Sequence, residues 1–154
     1  MPLHVVLVEP EIPQNTGNIA RTCAATGSIL HLVHPLGFSL NEKYLRRAGL
    51  DYWDKVNIEE HSSWLAFCQA YPNANCYYFS TKGRRLYTEV KYSDGDFLIF
   101  GPETRGLSAE ILSQAGERVL RIPMRPGLRS LNLASSVALV LYEALRQLGF
   151  PGLT

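Results

Sequence analysis

Short, mostly apolar runs alternate with segments of helical periodicity along this chain, and this alternation restricts the folds that are open to it. Five runs predict β-strands, namely Leu3–Val8, Ile29–Val33, Cys76–Ser80, Phe97–Phe100 and Arg118–Ile122. Because the first run is apolar at almost every position, we expect both of its faces to be covered, as they are in parallel sheets. The helical segments between the strands predict an α/β fold, with a mostly parallel sheet flanked by helices.

The helical segments carry recognisable end signals. The predicted helices are Gly17–Gly27, Glu42–Ala48, His61–Tyr71, Ser108–Ala115 and Ser130–Leu148. Ser108 is expected to cap its helix, and Gly27 is expected to stand just past the end of the first. The last helix has the strongest pattern, since apolar residues recur at three- and four-residue spacing from Ala134 to Leu148.

Length and composition predict one globular domain in a reducing compartment. The 154 residues are 46% hydrophobic, which suits a single domain over residues 1–154. No apolar run approaches the ~20 residues that a membrane span needs, and no secretory signal opens the chain. The cysteines Cys23, Cys68 and Cys76 form no C-x-x-C pair, so they are expected to be reduced thiols. These features predict a cytoplasmic protein.

Charge restricts how the chain could bind nucleic acid. Fifteen Lys and Arg residues face fourteen Asp and Glu residues, which gives a net charge of +1. Binding through bulk electrostatics is therefore excluded, and any affinity for RNA must come from local basic patches. Candidates for these patches are Arg46 with Arg47, Lys82 with Arg84 and Arg85, and Arg125 with Arg129.

Three successive strands end in loops that are rich in glycine and proline. These loops are residues 79–83, 100–106 and 122–127. In parallel sheets, ligands bind at the carboxyl ends of the strands. Glycine permits close backbone approach to a ligand and proline stiffens the loop. The three loops together predict a small-molecule site.

Several familiar sites are excluded at these loops. Gly101-x-x-x-x-Gly106 has the spacing of a phosphate-binding P-loop but lacks its lysine, and no G-x-G-x-x-G follows the first strand. Ser130 lies in no nucleophile elbow, and helix capping accounts for it. His31 and His34 are expected to point to opposite faces with no third ligand evident, so no metal site is predicted.

Three ordered motifs carry a resemblance to a known family. Taken together, they resemble those of the SPOUT knotted methyltransferases: Asn15-x-Gly17-x-x-x-Arg21, then Phe100-Gly101-Pro102-Glu103-x-x-Gly106, then Ile122-Pro123-Met124 leading to Ser130-Leu131-Asn132-Leu133-Ala134. Residues 9–18, residues 46–52 and Tyr142-Glu143 resemble the TrmL (YibK-like) branch, which methylates the wobble-nucleotide ribose of tRNA. The resemblance spans nearly the whole chain, so a single SPOUT domain over residues 1–154 with no added RNA-binding domain is expected.

The resemblance implies a fold, a cofactor and an assembly. The C-terminal helix would thread a loop to form a deep trefoil knot, an exception to the rule that chains do not thread loops. S-adenosyl-L-methionine would be held by Phe79, Gly101, Ile122, Ser130 and Leu131, and S-adenosyl-L-homocysteine would be released. Members act as homodimers, and no metal or membrane is implied.

The resemblance also assigns roles in methyl transfer to the ribose 2′-hydroxyl. Arg21 would orient the hydroxyl and polarise a phosphate that accepts its proton, since an arginine keeps its own proton at neutral pH. Tyr142 is the second candidate, and Glu103 and Asn132 would brace the loops. On the residues alone, Arg21 could equally be a solvated side chain and Tyr142 an aromatic at the edge of the core.

The predicted substrate is the wobble cytidine or uridine of leucine tRNAs, bound through the anticodon stem-loop. Two other functions stay open at this point. One is the same reaction on another RNA, such as ribosomal RNA. The other is a catalytically silent module that binds RNA or nucleotides, although such a module has no need for the set Arg21, Glu103, Asn132 and Tyr142.

Overall fold

One parallel sheet runs through the computed structural model, which describes residues 1–41, 43, 45, 47 and 52–154. The strands found there are β1 (His4–Val8), β2 (Ile29–Val33), β3 (Asn57–His61), β4 (Cys76–Phe79), β5 (Arg85–Leu86), β6 (Phe97–Phe100) and β7 (Val119–Arg121). Their order across the sheet is β3-β2-β1-β6-β4-β7-β5, and every pairing between them is parallel. The predicted α/β fold is confirmed.

Helices cover both faces of this sheet. The helices whose bounds lie within the described residues are α1 (Pro13–Thr26), α2 (Trp64–Ala70), α3 (Ala109–Ala115) and α4 (Leu133–Gln147), with short 3-10 helices at Trp53–Lys55 and Gly116–Arg118. The Ser108 side chain caps α3, and Gly27 ends α1 at φ 71°, both as predicted. Of the predicted helix Glu42–Ala48, residues 43, 45 and 47 are helical and the others lie outside the described residues.

Each sheet face has its own apolar core. On one face, α1 and α4 pack through residues such as Ile19, Val137 and Leu141 against β1 and its neighbours. On the other face, α2 and α3 pack around Phe67 and Ile99. All five residues of β1 are buried, as expected for a central parallel strand. No described helix has the length and apolarity that a membrane crossing requires.

Two predicted helix starts are wrong. α1 begins at Pro13, four residues before Gly17, because a proline in the first turn needs no hydrogen-bond donor and already has a helical φ. The segment predicted to be helical from His61 begins instead at Trp64, capped by Ser63. His61 belongs to β3, an edge strand in which only His61 is buried, and which lacks the apolar run that marks the central strands.

The start of α4 also differs from the prediction. Asn132 is the N-cap, and its Oδ1 accepts a hydrogen bond from the Ser135 amide at 3.2 Å. Ser130 is exposed in the preceding segment and does not cap the helix. The predicted apolar stripe is confirmed, since Val137, Leu141 and Leu145 are buried. The threading of α4 through a loop stays a prediction.

Candidate active site

The three glycine- and proline-rich loops leave the sheet on the same side, at the carboxyl ends of their strands. β6, β4 and β7 are neighbours, and Phe79 is level with Phe100 on one side and with Leu120 on the other. The rings of Phe79 and Phe100 stack with their centroids 4.8 Å apart. Gly101 follows β6 directly, and Ile122 follows β7. The structure therefore brings Phe79, Gly101 and Ile122 together at the carboxyl ends of the strands, where a ligand can contact all three loops.

Close backbone contacts hold two of these loops. A Cβ atom at Gly101 would overlap the backbone of Gly106 and Leu107, and one at Gly83 would lie 2.5 Å from the carbonyl carbon of Leu120. The Gly106 amide donates to the Pro102 carbonyl at 2.8 Å, which closes the loop after β6. Glycine at positions 83 and 101 is therefore required by packing against the protein itself.

Glu103 ties the loop after β6 to the first turn of α1. Its carboxylate accepts hydrogen bonds from the Glu11 amide at 2.8 Å, from the Ile12 amide at 2.9 Å and from Asn15 Nδ2 at 3.2 Å. Glu11 and Ile12 directly precede α1, and a carboxylate beside the N-terminus of a helix is favourable. Glu103 thus supports the start of α1 and orients Asn15.

Glu11 completes the connection in the opposite direction. Its carboxylate accepts from the Thr104 amide at 2.9 Å and from Thr104 Oγ1 at 2.8 Å. These hydrogen bonds lower the pKa of the Glu11 carboxyl, and the bond from the Thr104 backbone amide has the larger effect. Arg105 lies 3.4 Å from Glu9 at the same junction. The two segments are therefore held together by reciprocal carboxylate contacts.

Asn15 links this junction to α4. Its Oδ1 accepts a hydrogen bond from Asn132 Nδ2 at 3.1 Å, while its Nδ2 donates to Glu103. Asn15 is 7% exposed, and both bonds are partly buried. Glu103, Asn15 and Asn132 form a polar chain, hereafter the Glu103–Asn15–Asn132 chain. It joins all three motifs. Glu103 and Asn132 are predicted site residues, whereas Asn15 is not.

The other predicted site residues lie outside this chain. Arg21 is exposed on α1, with its guanidinium carbon 4.7 Å from the centroid of the Tyr52 ring. Tyr142 is 44% exposed on α4. Within the part of the protein that the structure describes, no hydrogen bond connects the Arg21 or Tyr142 side chain to the Glu103–Asn15–Asn132 chain. Ser130 and Leu131 are exposed just before Asn132.

A basic cavity lies beside the loop after β4. It has a volume of about 540 Å³, and Lys82, Arg84 and Arg85 line it together with residues of α3. Arg85 Nη1 donates to the Glu117 carbonyl at 3.3 Å. Of the other predicted patches, Arg47, Arg125 and Arg129 are exposed, and Arg46 lies outside the described residues.

The two histidines of the His31-x-x-His34 pair lie in different surroundings, as expected. His31 is fully buried, whereas the His34 side chain is 37% exposed. His31 has other neighbours that could bind a metal. Glu59 and His61 stand beside it, with one ligand atom of each residue within 4.8 Å of the others. The sequence could not show this, because strand pairing brings these residues together.

Comparisons with known proteins agree with this arrangement. The model of the SpoU rRNA Methylase family matches residues 2–142. A tRNA (cytidine(34)-2'-O)-methyltransferase of Saccharophagus degradans is 52% identical, covering 97% of each chain. The enzyme of the same name from Escherichia coli strain K12 is 51% identical, covering 97% of this chain and 96% of the relative.

Solved structures show the same fold. One that concerns the 2-OH methylation of C/U34 on tRNA superposes with a TM-score of 0.91 at 51% identity, covering 96% of both chains. An AdoMet-bound rRNA methyltransferase from Sinorhizobium meliloti gives a TM-score of 0.85 at 26% identity, covering 96% of this chain and 57% of that chain. The three motifs of this chain meet at the carboxyl ends of the strands, and the family model matches residues 2–142. The chain therefore belongs to the SpoU rRNA methylase family.

Proposed function

We propose that this protein transfers a methyl group from S-adenosyl-L-methionine to the ribose 2′-hydroxyl of the wobble cytidine or uridine in leucine tRNAs. The observation that carries the proposal is the Glu103–Asn15–Asn132 chain, which fixes the three motif segments at the carboxyl ends of the strands. The relatives that are about 50% identical over almost the whole chain carry the name of this reaction on tRNA. A bound AdoMet in a structural neighbour supports the cofactor.

The residues at the strand ends fit this cofactor. Phe79 and Ile122 are apolar, and Leu131 is an exposed apolar residue in the segment that leads to α4, 41% accessible to solvent. Such side chains suit adenine, while the backbone groups of Gly101 and Ser130 are available for its polar atoms. The cofactor contains no phosphate, which agrees with the absent P-loop lysine. When bound, it supplies a methyl group on a sulfonium, which is already a good electrophile.

The protein's task is then to position the 2′-hydroxyl and to receive its proton. Glu103 and Asn132 keep the loops rigid, and holding two reactants in line can supply about 7–11 kcal/mol of barrier reduction. Stacking on Tyr52 orients the guanidinium plane of Arg21, whose N–H groups have no hydrogen-bond partner among the described residues. Arg21 therefore suits a ribose and its phosphate, with the phosphate as proton acceptor. Tyr142 is proposed to assist in the same site.

Substrate affinity is proposed to come from the basic cavity at Lys82, Arg84 and Arg85. Three cations and one carboxylate, Glu117, line this cavity, and such a local excess of positive charge suits a phosphate backbone better than scattered surface charges do. We further propose that the protein is a cytoplasmic homodimer that needs no metal for methyl transfer. The exposed apolar residues of α4 support the dimer.

Nucleoside mass spectrometry tests the proposal. Leucine tRNA without a wobble modification is incubated with the protein and S-adenosyl-L-methionine. A 2′-O-methylated cytidine or uridine is expected with the wild type, and it should disappear with Arg21→Ala. Full activity in Arg21→Lys would contradict the role of Arg21, which depends on the paired N–H groups of a guanidinium.

Two other outcomes would replace the proposed substrate or reaction. Methylation of ribosomal RNA but not of tRNA would retain the chemistry and move it to another RNA. Cofactor binding with no turnover on either RNA would indicate a silent binding module.

A further inference from the structure

Three histidines form a buried row across three adjacent strands, on the sheet face that α2 and α3 cover. His4 lies on β1, His31 on β2 and His61 on β3. His4 Nδ1 lies 2.8 Å from His31 Nε2, and His31 Nδ1 lies 2.9 Å from His61 Nε2. The exposed fractions of the three residues are 8%, 0% and 9%. A hydrogen-bonded row of imidazoles at this depth serves no step of the proposed methyl transfer.

A carboxylate completes a set of metal ligands at one end of this row. Glu59 is level with His31 in the pairing of β2 with β3, so both side chains project from the same face. His61 stands two residues after Glu59 and projects from that face as well. Glu59 Oε1 lies 3.9 Å from His31 Nδ1. Two imidazole nitrogens and one carboxylate oxygen thus converge, all within 4.8 Å of one another.

The spacing of these atoms suits a tetrahedral Zn²⁺ ion. Bonds of about 2.0–2.1 Å at tetrahedral angles place neighbouring ligand atoms about 3.3 Å apart. The separation between His31 Nδ1 and His61 Nε2 is below this value, and that between His31 Nδ1 and Glu59 Oε1 is above it. Small side-chain rotations would open the first pair and close the second.

We propose that His31 Nδ1, His61 Nε2 and the Glu59 carboxylate bind a divalent transition metal of the Zn²⁺ class. Imidazole with carboxylate is a ligand set that suits zinc. Three protein ligands leave the fourth coordination position for water. The bound ion would cross-link β2 to the edge strand β3, and its site shares no residue with the Glu103–Asn15–Asn132 chain.

Neighbouring side chains already hold the ligands as outer partners of a metal site do. His31 Nε2–H can donate to His4 Nδ1, which leaves the lone pair of His31 Nδ1 for the ion. The Tyr71 hydroxyl donates to Glu59 Oε1 at 2.5 Å and so orients that carboxylate. The Phe67 ring stands edge-on to both His31 and His61. Partners of this kind raise metal affinity by fixing ring orientation and tautomer.

Protonation and access both permit binding. Burial lowers the pKa of His31 to about 3, and it lowers the pKa values of His4 and His61 as well. The imidazoles are therefore neutral at pH 7, and a tautomer change at His61 frees its Nε2 without loss of a proton. An ion can enter from the edge of the sheet, where the Glu59 side chain is 35% exposed.

Metal titration of the full-length chain tests the site. The protein is treated with a chelator, dialysed and titrated with ZnCl₂ in competition with a chromophoric chelator, and bound zinc is counted by mass spectrometry. We expect one Zn²⁺ per chain, at least a hundredfold weaker binding in His61→Gln, and unchanged binding in His34→Gln. His34 is the matched control, because it contacts Glu60 at 2.8 Å and lies outside the cluster.

Further readouts keep the test decisive if His61→Gln folds poorly. Glu59→Gln should also lose Zn²⁺ binding. When Co²⁺ replaces Zn²⁺ in the wild type, its visible spectrum should show the bands of a tetrahedral site with nitrogen and oxygen ligands. It should show no thiolate charge-transfer band. Zn²⁺ should raise the melting temperature of wild type but not of Glu59→Gln. The proposal is overturned if no stoichiometric ion binds, if both ligand variants bind as the wild type does, or if Cys68→Ala removes binding instead.

Discussion

The Glu103 side chain alone connects several backbone and side-chain groups in this fold. It accepts three hydrogen bonds from Glu11, Ile12 and Asn15, all across the junction between the loop after β6 and α1. Hydrogen bonds to an ionised group contribute about 1.5–3 kcal/mol, and leaving their donors unpaired is costly. The loop and the helix therefore depend on one carboxylate.

Replacing Glu103 should weaken the whole protein. We expect Glu103→Ala to lower the free energy of unfolding by about 2 kcal/mol, and Glu103→Gln to lower it less because its amide oxygen still accepts. Urea denaturation followed by fluorescence measures this difference. Asp94→Ala, at an exposed carboxylate, is the control and should stay within about 0.5 kcal/mol of wild type. A loss no larger in Glu103→Ala than in Asp94→Ala would contradict the bracing role.

The cysteines make a second prediction at the residue scale. Burial raises the pKa of Cys23 to about 12 and that of Cys76 to about 11. Because a raised pKa lowers the thiolate fraction at a given pH, only on the order of one Cys23 in ten thousand is ionised at pH 8. A thiol reagent at pH 8 should therefore leave Cys23 unmodified in the native protein and modify all three cysteines in urea. Peptide mass spectrometry locates the label, and rapid native labelling of Cys23 would show that its surroundings open.

At the scale of elements, the loop after β6 requires glycine for packing. A methyl group at Gly101 would overlap the backbone of Gly106 and Leu107, whereas one at Gly27 meets no atom within 4 Å. We expect Gly101→Ala to lower the free energy of unfolding by about 3 kcal/mol. Gly27→Ala should cost about 1 kcal/mol, since its only penalty is a left-handed φ of 71°. Equal losses in the two variants by urea denaturation would exclude a packing role for Gly101.

The elements also show which parts of the structure a sequence can predict. The central strands β1 and β6 are almost entirely apolar, so their pattern alone predicts them. The sequence does not predict β3, because this edge strand contains polar residues and lacks an apolar run. It does not predict β5, because two residues are too few to show a period. The strand-end loops were predictable from glycine and proline, and parallel pairing placed them together.

The contacts between distant segments were not predictable in the same way. Glu103 is 88 residues from Asn15, and Asn132 is 117 residues from it, so only the fold shows that they meet. The histidine row depends on the register of three strands, which no local pattern determines. Family resemblance gave Glu103 and Asn132 a role at the site and placed Asn15 in the first motif, but it did not show that Asn15 bonds to both of them.

At the scale of the whole molecule, a net charge of +1 makes RNA binding depend on local cations. If the basic cavity contacts about three phosphates, the logarithm of the tRNA association constant should fall with the logarithm of salt concentration with a slope of about −2 to −3. Arg84→Ala should reduce that slope by about 1, whereas Lys91→Ala, another exposed cation, should not. Filter binding over a salt series measures both. Equal slopes in wild type and Arg84→Ala would remove the cavity from the binding surface.

The outer surface of α4 makes the last prediction. Leu139 and Tyr142 are 43% and 44% exposed, and their spacing of three residues places them side by side on one face of the helix. A second copy of the chain is the partner we expect there, so the protein should have about twice its chain mass of 17.2 kDa in light scattering. Leu139→Glu should weaken self-association at least a hundredfold, because the dimer would bury an unpaired charge.

A second exposed leucine separates this effect from a general change in surface charge. Leu65 is 65% exposed on α2, so Leu65→Glu is expected to leave the mass unchanged. If catalysis requires the dimer, methylation should fall with dimer content across a dilution series of Leu139→Glu and remain normal in Leu65→Glu. A monomeric wild type at micromolar concentration, or a dimer that tolerates Leu139→Glu, would show that this face of α4 does not form the interface. Because Tyr142 lies on the same face, dimerisation through it would place the phenol at the subunit boundary and explain why it stands apart from the Glu103–Asn15–Asn132 chain within one subunit.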